Sequence, residues 1–327
     1  MAEDGLRSRG MRDFGPDEMR RFRHIERRFL DVTAAHGYAE IRTPTIEPLH
    51  LFTATRSLSP QLLDRVYSFL DWDGWSGERV VLRPDSTVPA ARWYEGHHEG
   101  PGPARLSYVQ PVYLFVPGDD EREQWQCGVE LFGLGAPDAD GELLLLARDF
   151  LDVLGLDDLR FELSHAGLVR TVLAAAGLDA SEQLAAYDRL LDGDQSVTSD
   201  LAAQHPAGAP ALRLLFEVDG ATAGYLANLR AALVPVVPEA AAPLLELEAA
   251  ANALDVAGCV YRFVPGTVRN FEYYTGLTFR LLAGDTECIR GGRYDGLGEA
   301  LGGRAVPASG FGADLLRLAG LVEGGPR

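Results

Sequence analysis

Behind Pro16, the apolar residues Phe22, Ile25, Phe29 and Val32 recur at helical spacing, and Gly37 follows them as a stop signal. The pattern predicts one amphipathic helix opening near Pro16. From Tyr38 the period changes. Tyr38-Ala39-Glu40-Ile41-Arg42-Thr43-Pro44 alternates and ends at proline, as an edge or interface strand does. Strand character recurs at 79–82, 108–116 and 126–132, and a Leu-rich helix covers roughly 141–154. Between about 167 and 255 Ala and Leu dominate, broken by Pro206, Pro210, Pro235, Pro238 and Pro243, which predicts a separate helical insertion. Strand texture returns at 260–264 and 274–282, followed by a Gly-rich turn and a last helix over 313–321. Strands separated by unequal segments, without regular βα alternation, predict an α+β fold with an antiparallel sheet flanked by helices. In this reading residues 1–166 and 256–327 are two parts of one core, with 167–255 inserted between them.

Composition narrows the class. The chain has 327 residues, 46% hydrophobic and 24% charged, which is globular composition. No run of about 18 apolar residues could cross a membrane, and the N-terminus lacks an apolar signal region. Cys127, Cys259 and Cys288 are far apart and odd in number, which fits a reducing cytoplasm rather than a disulfide framework or a zinc site. The seven His residues offer no metal-ligand spacing beyond the adjacent His97 and His98. No metal and no cofactor is expected. The net charge of -18 disfavours a nucleic-acid partner, although excess acid also simply confers solubility.

Three segments carry candidate chemistry. In a strand, Gln126, Gly128, Glu130 and Phe132 share a face, and polar groups flanking a glycine leave a hollow for a small ligand. Taken alone, that segment reads more readily as a solvated outer face. Asp85 and Thr87, in Arg83-Pro84-Asp85-Ser86-Thr87, could accept hydrogen bonds from an ammonium, but they also suit a turn and helix N-cap. Arg269, near Tyr273 and Tyr274, could meet a carboxylate and stack on a ring, or lie in a surface hairpin. Gly291-Gly292-Arg293-Tyr294-Asp295-Gly296 lacks phosphate-loop spacing and reads as a tight turn.

The order and wording of these segments are more specific than any one of them. Gly-Met-Arg-Asp-Phe-Gly-Pro-Asp-Glu-Met (10–19), Arg-Thr-Pro (42–44), Arg-Pro-Asp-Ser-Thr (83–87), Gly-Val-Glu-Leu-Phe-Gly (128–133), Val-Arg-Asn-Phe-Glu-Tyr-Tyr-Thr-Gly (268–276), Gly-Gly-Arg-Tyr-Asp-Gly-Leu (291–297) and Gly-Phe-Gly-Ala-Asp-Leu-Leu-Arg-Leu (310–318) resemble, in order, the histidyl-tRNA synthetases. The resemblance covers about 10–320 and is weakest in the 167–255 stretch. It implies a class II synthetase core that dimerises through its first motif. By matched positions it implies a histidine site. Asp85, Thr87 and Gln126 would hold the α-amino group, Glu130 and Tyr274 (with Tyr273 nearby) would address the imidazole, and Arg269 the carboxylate. A carboxylate paired with a phenol suits an imidazolium N–H. Asp85 departs from the longer Glu usual in the synthetases.

Other departures point away from amino-acid activation. Where the family's second motif has an Arg for the ATP α-phosphate and a Glu two residues later, this chain has Leu114 and Val116. A Leu cannot stabilise charge developing at phosphorus. Arg122 and Arg317 match family arginines on the ATP side, so the resemblance implies a vestigial nucleotide side; the Glu before the last Arg is Leu316. The sequence ends just past the third motif, where synthetases continue into an anticodon-reading domain. The Pro-Asp-x-Thr and Gly-Val-Glu-Leu wording is also similar to a paralogous family, the regulatory subunits of ATP phosphoribosyltransferase. That likeness implies a non-catalytic histidine-binding role in histidine biosynthesis, with a short-form catalytic subunit as partner in a hetero-octamer and no tRNA. The competing expectation is a truncated synthetase-like enzyme that forms histidyl-adenylate. A module acting on another amine is disfavoured by the intact pair Glu130 and Tyr274.

Overall fold

In a computed structural model describing residues 7–55, 63–72, 77–116, 121–191, 194, 196–217, 220–267 and 273–322, the helix expected behind Pro16 is Pro16–Ala35 (α1). The Glu18 carboxylate accepts the Gly15 N–H at 3.0 Å, satisfying a donor at the helix start. Phe22, Ile25 and Phe29 are buried on its inner stripe. The strand expected over 38–44 shrinks to Ala39–Glu40 (β1), followed by Ile46–Pro48 (β2). The cause is local. Side chains take the backbone groups that a ladder would need: the Gln110 amide oxygen accepts the Thr43 N–H at 3.2 Å, and the buried Arg83 donates to the Thr43 and Pro44 carbonyls at 2.9 and 2.8 Å.

The chain continues through Leu49–Ala54 (α2), Ser68–Trp72 (β3), Gly77–Leu82 (β4), Thr87–His97 (α3), Ala104–Tyr113 (β5), Glu123–Phe132 (β6) and Asp138–Val153 (α4). Leu159–His165 (β7) leads into helices Ala166–Ala175 (α5), Ala180–Leu191 (α6), Val197–Gln204 (α7), Ala209–Phe216 (α8), Ala223–Leu233 (α9) and Ala241–Val256 (α10). Then come Val260–Phe263 (β8), Leu277–Ala283 (β9), Thr286–Arg293 (β10), Leu297–Ala300 (α11), Ala308–Asp314 (β11) and Leu315–Leu321 (α12). The last helix starts two residues later than expected. The Asp314 carboxylate accepts the N–H groups of Leu316 and Arg317 and so caps it there. Gly291 and Gly292 lie inside strand β10, not in a turn.

Two compact units result, one comprising 1–134, 149–156 and 296–327, the other 135–148 and 157–295. In the first, strands run in the order β1-β5-β6-β11, with β1 parallel and the rest antiparallel, beside a small antiparallel sheet β2-β4-β3. Its core includes edge-on aromatic pairs, Phe22 with Trp125 and Phe29 with Phe150. In the second, strands run β10-β9-β7-β8, antiparallel except for the parallel pair β7 and β8. Here α5 and α10 bury Leu168, Val172, Leu247 and Leu254. Glu162, buried on β7, is gripped by Arg262 of β8 and Arg280 of β9, so an ion network ties these strands in register. Among the described residues no helix is long and apolar enough to cross a membrane.

Candidate functional site

Strand alternation places Gln126, Gly128 and Glu130 on one face of β6, and the ladder sets Tyr108 of β5 and Gly312 of β11 opposite Gly128. The two glycines are space-making. A Cβ on Gly128 would stand 2.5 Å from the Tyr108 hydroxyl, and one on Gly312 would stand 2.8 Å from the Gln126 amide nitrogen. The result is a low floor on which Tyr108 crosses β6 to donate its hydroxyl to Glu130 Oε1 at 2.9 Å. Glu130, 1% exposed, is thus an interior acceptor and not part of a solvated outer face.

Thr87, at the start of α3, hydrogen-bonds to Glu130 as well. Asp85 accepts the Val88 N–H at 3.0 Å, so the helix-capping role is real, and it lies close enough to Glu130 for the two carboxylates to repel. Burial pushes the Glu130 carboxyl well up, and Asp85 adds to the rise against the lowering effect of Thr87 and Tyr108. Burial raises Asp85 too, opposed by the backbone N–H groups of Val88, Thr87 and Ser86 and by Arg83. Gln126 Oε1 is buried without a hydrogen-bond partner among the described residues. Acceptors that crowd a glycine floor, with two carboxylates that resist joint ionisation, suit a compact cation bearing several N–H donors. Asp85, Thr87 and Glu130 are therefore brought together, with Gln126 on the same β6 face as Glu130.

At the positions expected on a nucleotide side, the Arg122 guanidinium lies 4.3 Å from the Phe115 ring centre and donates to the Val116 carbonyl at 2.9 Å. Leu114 donates its N–H to the Arg122 carbonyl at 3.0 Å. Arg317 is exposed on α12. In the second unit, Tyr273 stacks on Tyr294 with ring centres 5.0 Å apart and meets Tyr274 edge-on at 5.3 Å. Arg269 lies outside the described residues.

The sequence reading missed Tyr108 and Arg83. The run around Tyr108 reads as a strand, but its link to Glu130 depends on pairing across β5 and β6. Arg83 is 1% exposed and spends its guanidinium on the carbonyls of Thr43, Pro44 and Pro111. It ties the segment that leads into Asp85 to the backbone at Thr43, Pro44 and Pro111.

Comparison with known proteins places these residues in a family context. The histidyl-tRNA synthetase family model matches residues 10–318. A protein of Dehalococcoides mccartyi (strain CBDB1), named ATP phosphoribosyltransferase regulatory subunit, is 44% identical over 318 residues, covering 97% of this chain and 77% of its own length. A histidine–tRNA ligase of Desulforudis audaxviator (strain MP104C) is 34% identical over 327 residues, covering 95% of this chain and 73% of the ligase. Among solved structures, one from Bacillus halodurans C, described as an ATP phosphoribosyltransferase regulatory subunit/histidyl-tRNA synthetase, superposes with a TM-score of 0.85 at 24% identity. It covers 98% of this chain and 84% of that one, and shows that the fold is of the class II synthetase kind.

Proposed function

The chain belongs to the histidyl-tRNA synthetase family, and from that premise we propose that it is a non-catalytic regulatory subunit of ATP phosphoribosyltransferase, acting in the first step of histidine biosynthesis. One observation carries this reading: within a single unit the amino-acid side is well furnished and the phosphate side is not. Glu130 accepts hydrogen bonds from Tyr108 and Thr87 with the Asp85 carboxylate close by, while Leu114 and Val116 stand, on the proposed match, where activation chemistry needs an Arg and a Glu. A protein that binds an amino acid without transforming it influences metabolism only by acting on another site with different affinity in two states. That site belongs to a glycosyltransferase partner whose pathway ends in the ligand.

In this proposal L-histidine is the ligand. Asp85, Thr87 and Gln126 address its amino group, Glu130 and Tyr274 with Tyr273 its imidazole, and Arg269 its carboxylate. The partner is a short-form catalytic subunit in a cytoplasmic hetero-octamer of four and four, and the chain pairs with itself through its first motif. Co-expression with such a catalytic subunit tests the assignment. Co-migration on size exclusion and phosphoribosyl transfer that rises with this chain and falls with added histidine are expected. Failure to co-migrate, with transfer indifferent to this chain, sinks it.

The second reading, a synthetase-like enzyme forming histidyl-adenylate, has the ligase relative in its favour. The replaced phosphate-side residues count against it.

A further inference from the structure

The backbone from Tyr273 to Gly276 is fastened from two directions within the second unit. From β10, the Arg293 carbonyl accepts the Thr275 N–H at 2.8 Å, and the Thr275 hydroxyl accepts the Asp295 N–H at 3.0 Å. From the start of α5, the Ala166 N–H donates to the Gly276 carbonyl at 2.9 Å. One turn further along α5, the Arg170 guanidinium donates to the Tyr274 carbonyl at 2.8 Å and reaches the Thr275 carbonyl at 3.4 Å. Space is cleared for this closeness by glycines. A Cβ on Gly276 would meet Arg293 Cδ at 2.6 Å, one on Gly292 would meet the Tyr274 ring at 2.9 Å, and one on Gly167 would meet the Thr275 carbonyl at 3.0 Å.

The β10 side of this clamp is rigid, because Arg293 is buried and its guanidinium pairs with the equally buried Asp140 at 2.5 Å. The α5 side is different in kind. Its grip on the Tyr274 carbonyl is one long side chain projecting from the first of the α-helices that the described residues form between Ala166 and Val256. A guanidinium suits the task, since its planar fork can serve neighbouring carbonyls at once, whereas a Lys ammonium is a point donor.

We infer that Arg170 is a positioning residue that sets the backbone of Tyr274, and through it the phenol, so that the helices following β7 are mechanically linked to ligand recognition. The inference rests on the proposal that Tyr274 addresses the imidazole of histidine. Arg170 touches no ligand itself. It acts by holding two carbonyls whose orientation fixes where the adjacent side chains emerge.

The test uses the full chain with Arg170→Ala and Arg170→Lys, read in two ways: peptide-level amide hydrogen exchange over 273–276, and histidine binding by calorimetry. In Arg170→Ala, exchange over 273–276 accelerates while β9 and β10 stay protected, and histidine affinity falls roughly tenfold, as expected when only about a tenth of the free protein still holds Tyr274 in the binding-competent position. Millimolar guanidinium restores part of both, and Arg170→Lys falls between. If Arg170→Ala does not fold, Arg170→Gln, which keeps a shorter donor, takes its place. Unchanged exchange at 273–276, or a uniform loss of protection throughout the unit that guanidinium does not rescue, overturns the inference. If the wild-type chain binds no histidine, the ligand proposal fails, and the exchange data still decide whether Arg170 holds the turn.

Discussion

Glu130 concentrates the physics of the site in one side chain. It is 1% exposed, accepts from Tyr108 and Thr87, and sits near a second carboxylate. Its carboxyl titrates well above the ordinary range because burial, and then Asp85, penalise the charged form. The native state therefore holds this proton more tightly than the unfolded chain. Its contribution to stability is present below the unfolded carboxyl's pKa and declines as pH rises toward the folded value. Glu130→Gln removes that decline, so the variant melts higher than wild type near pH 8 and loses the advantage near pH 4, as thermal melts across that range would show. The same variant weakens histidine binding by about 1.5–3 kcal/mol, roughly tenfold to a hundredfold, because an amide cannot give up a proton to become a charged acceptor when a cationic ligand binds. A variant that melts lower at pH 8 and binds histidine unchanged would remove Glu130 from the site. At this scale the sequence was half legible. Alternation put Gln126 and Glu130 on one face, but only pairing shows Tyr108, twenty-two positions away, donating the hydrogen bond that partners Glu130 in the interior.

Among elements, the strands that escaped the sequence reading include the glycine-rich ones. Thr286–Arg293 and Ala308–Asp314 carry Gly291, Gly292, Gly310 and Gly312, a composition that argues against a strand on propensity alone. Tertiary packing supplies the reason for several such glycines. Gly312 clears Gln126, Gly292 clears Tyr274, and Gly128 clears Tyr108. Helices, whose signals are local, were legible in kind: Pro16, the Phe22-Ile25-Phe29 stripe and Gly37 bound α1 as read. Strand 38–44 was over-read because the sequence does not reveal that Arg83 and Gln110 would claim its backbone. A single methyl tests the clearance argument. Gly128→Ala places a Cβ 2.5 Å from the Tyr108 hydroxyl and 2.8 Å from the Phe311 carbonyl, so the phenol must leave Glu130 or the strands must part. Overpacking of this kind costs about 1–3 kcal/mol. Urea titration should show that loss, with histidine affinity falling alongside it. A variant as stable as wild type would mean that Tyr108 moves aside freely and does not organise the site.

For the whole molecule, family and fold were legible because several short motifs recur in one order, a signal that no local propensity contains. The functional choice within the family was legible for a different reason: it depends on residues that replace reactive groups. Relatives at 44% and 34% identity carry different names, regulatory subunit and ligase, so fold likeness cannot decide between them. Residue chemistry can. Activation of an amino acid requires cationic groups aimed at the α-phosphate as charge develops there. On the proposed match, Leu114 and Val116 stand at the family's second-motif Arg and Glu, and neither carries charge. Arg122 is no substitute as it stands, since its guanidinium rests over Phe115 and donates to the Val116 carbonyl. Losing one such transition-state donor typically slows chemistry by on the order of 10²–10³, and the proposed match removes a donor together with its neighbouring carboxylate. The purified protein should therefore give no histidine-dependent exchange of labelled pyrophosphate into ATP above background, under conditions in which a histidine–tRNA ligase of the same family exchanges readily. Calorimetry on the same preparation should still register histidine, since the acceptor cluster around Glu130 does not depend on the phosphate side. Exchange at a ligase-like rate would reverse the assignment, because a chain that makes histidyl-adenylate is an enzyme in its own right, whatever else it regulates.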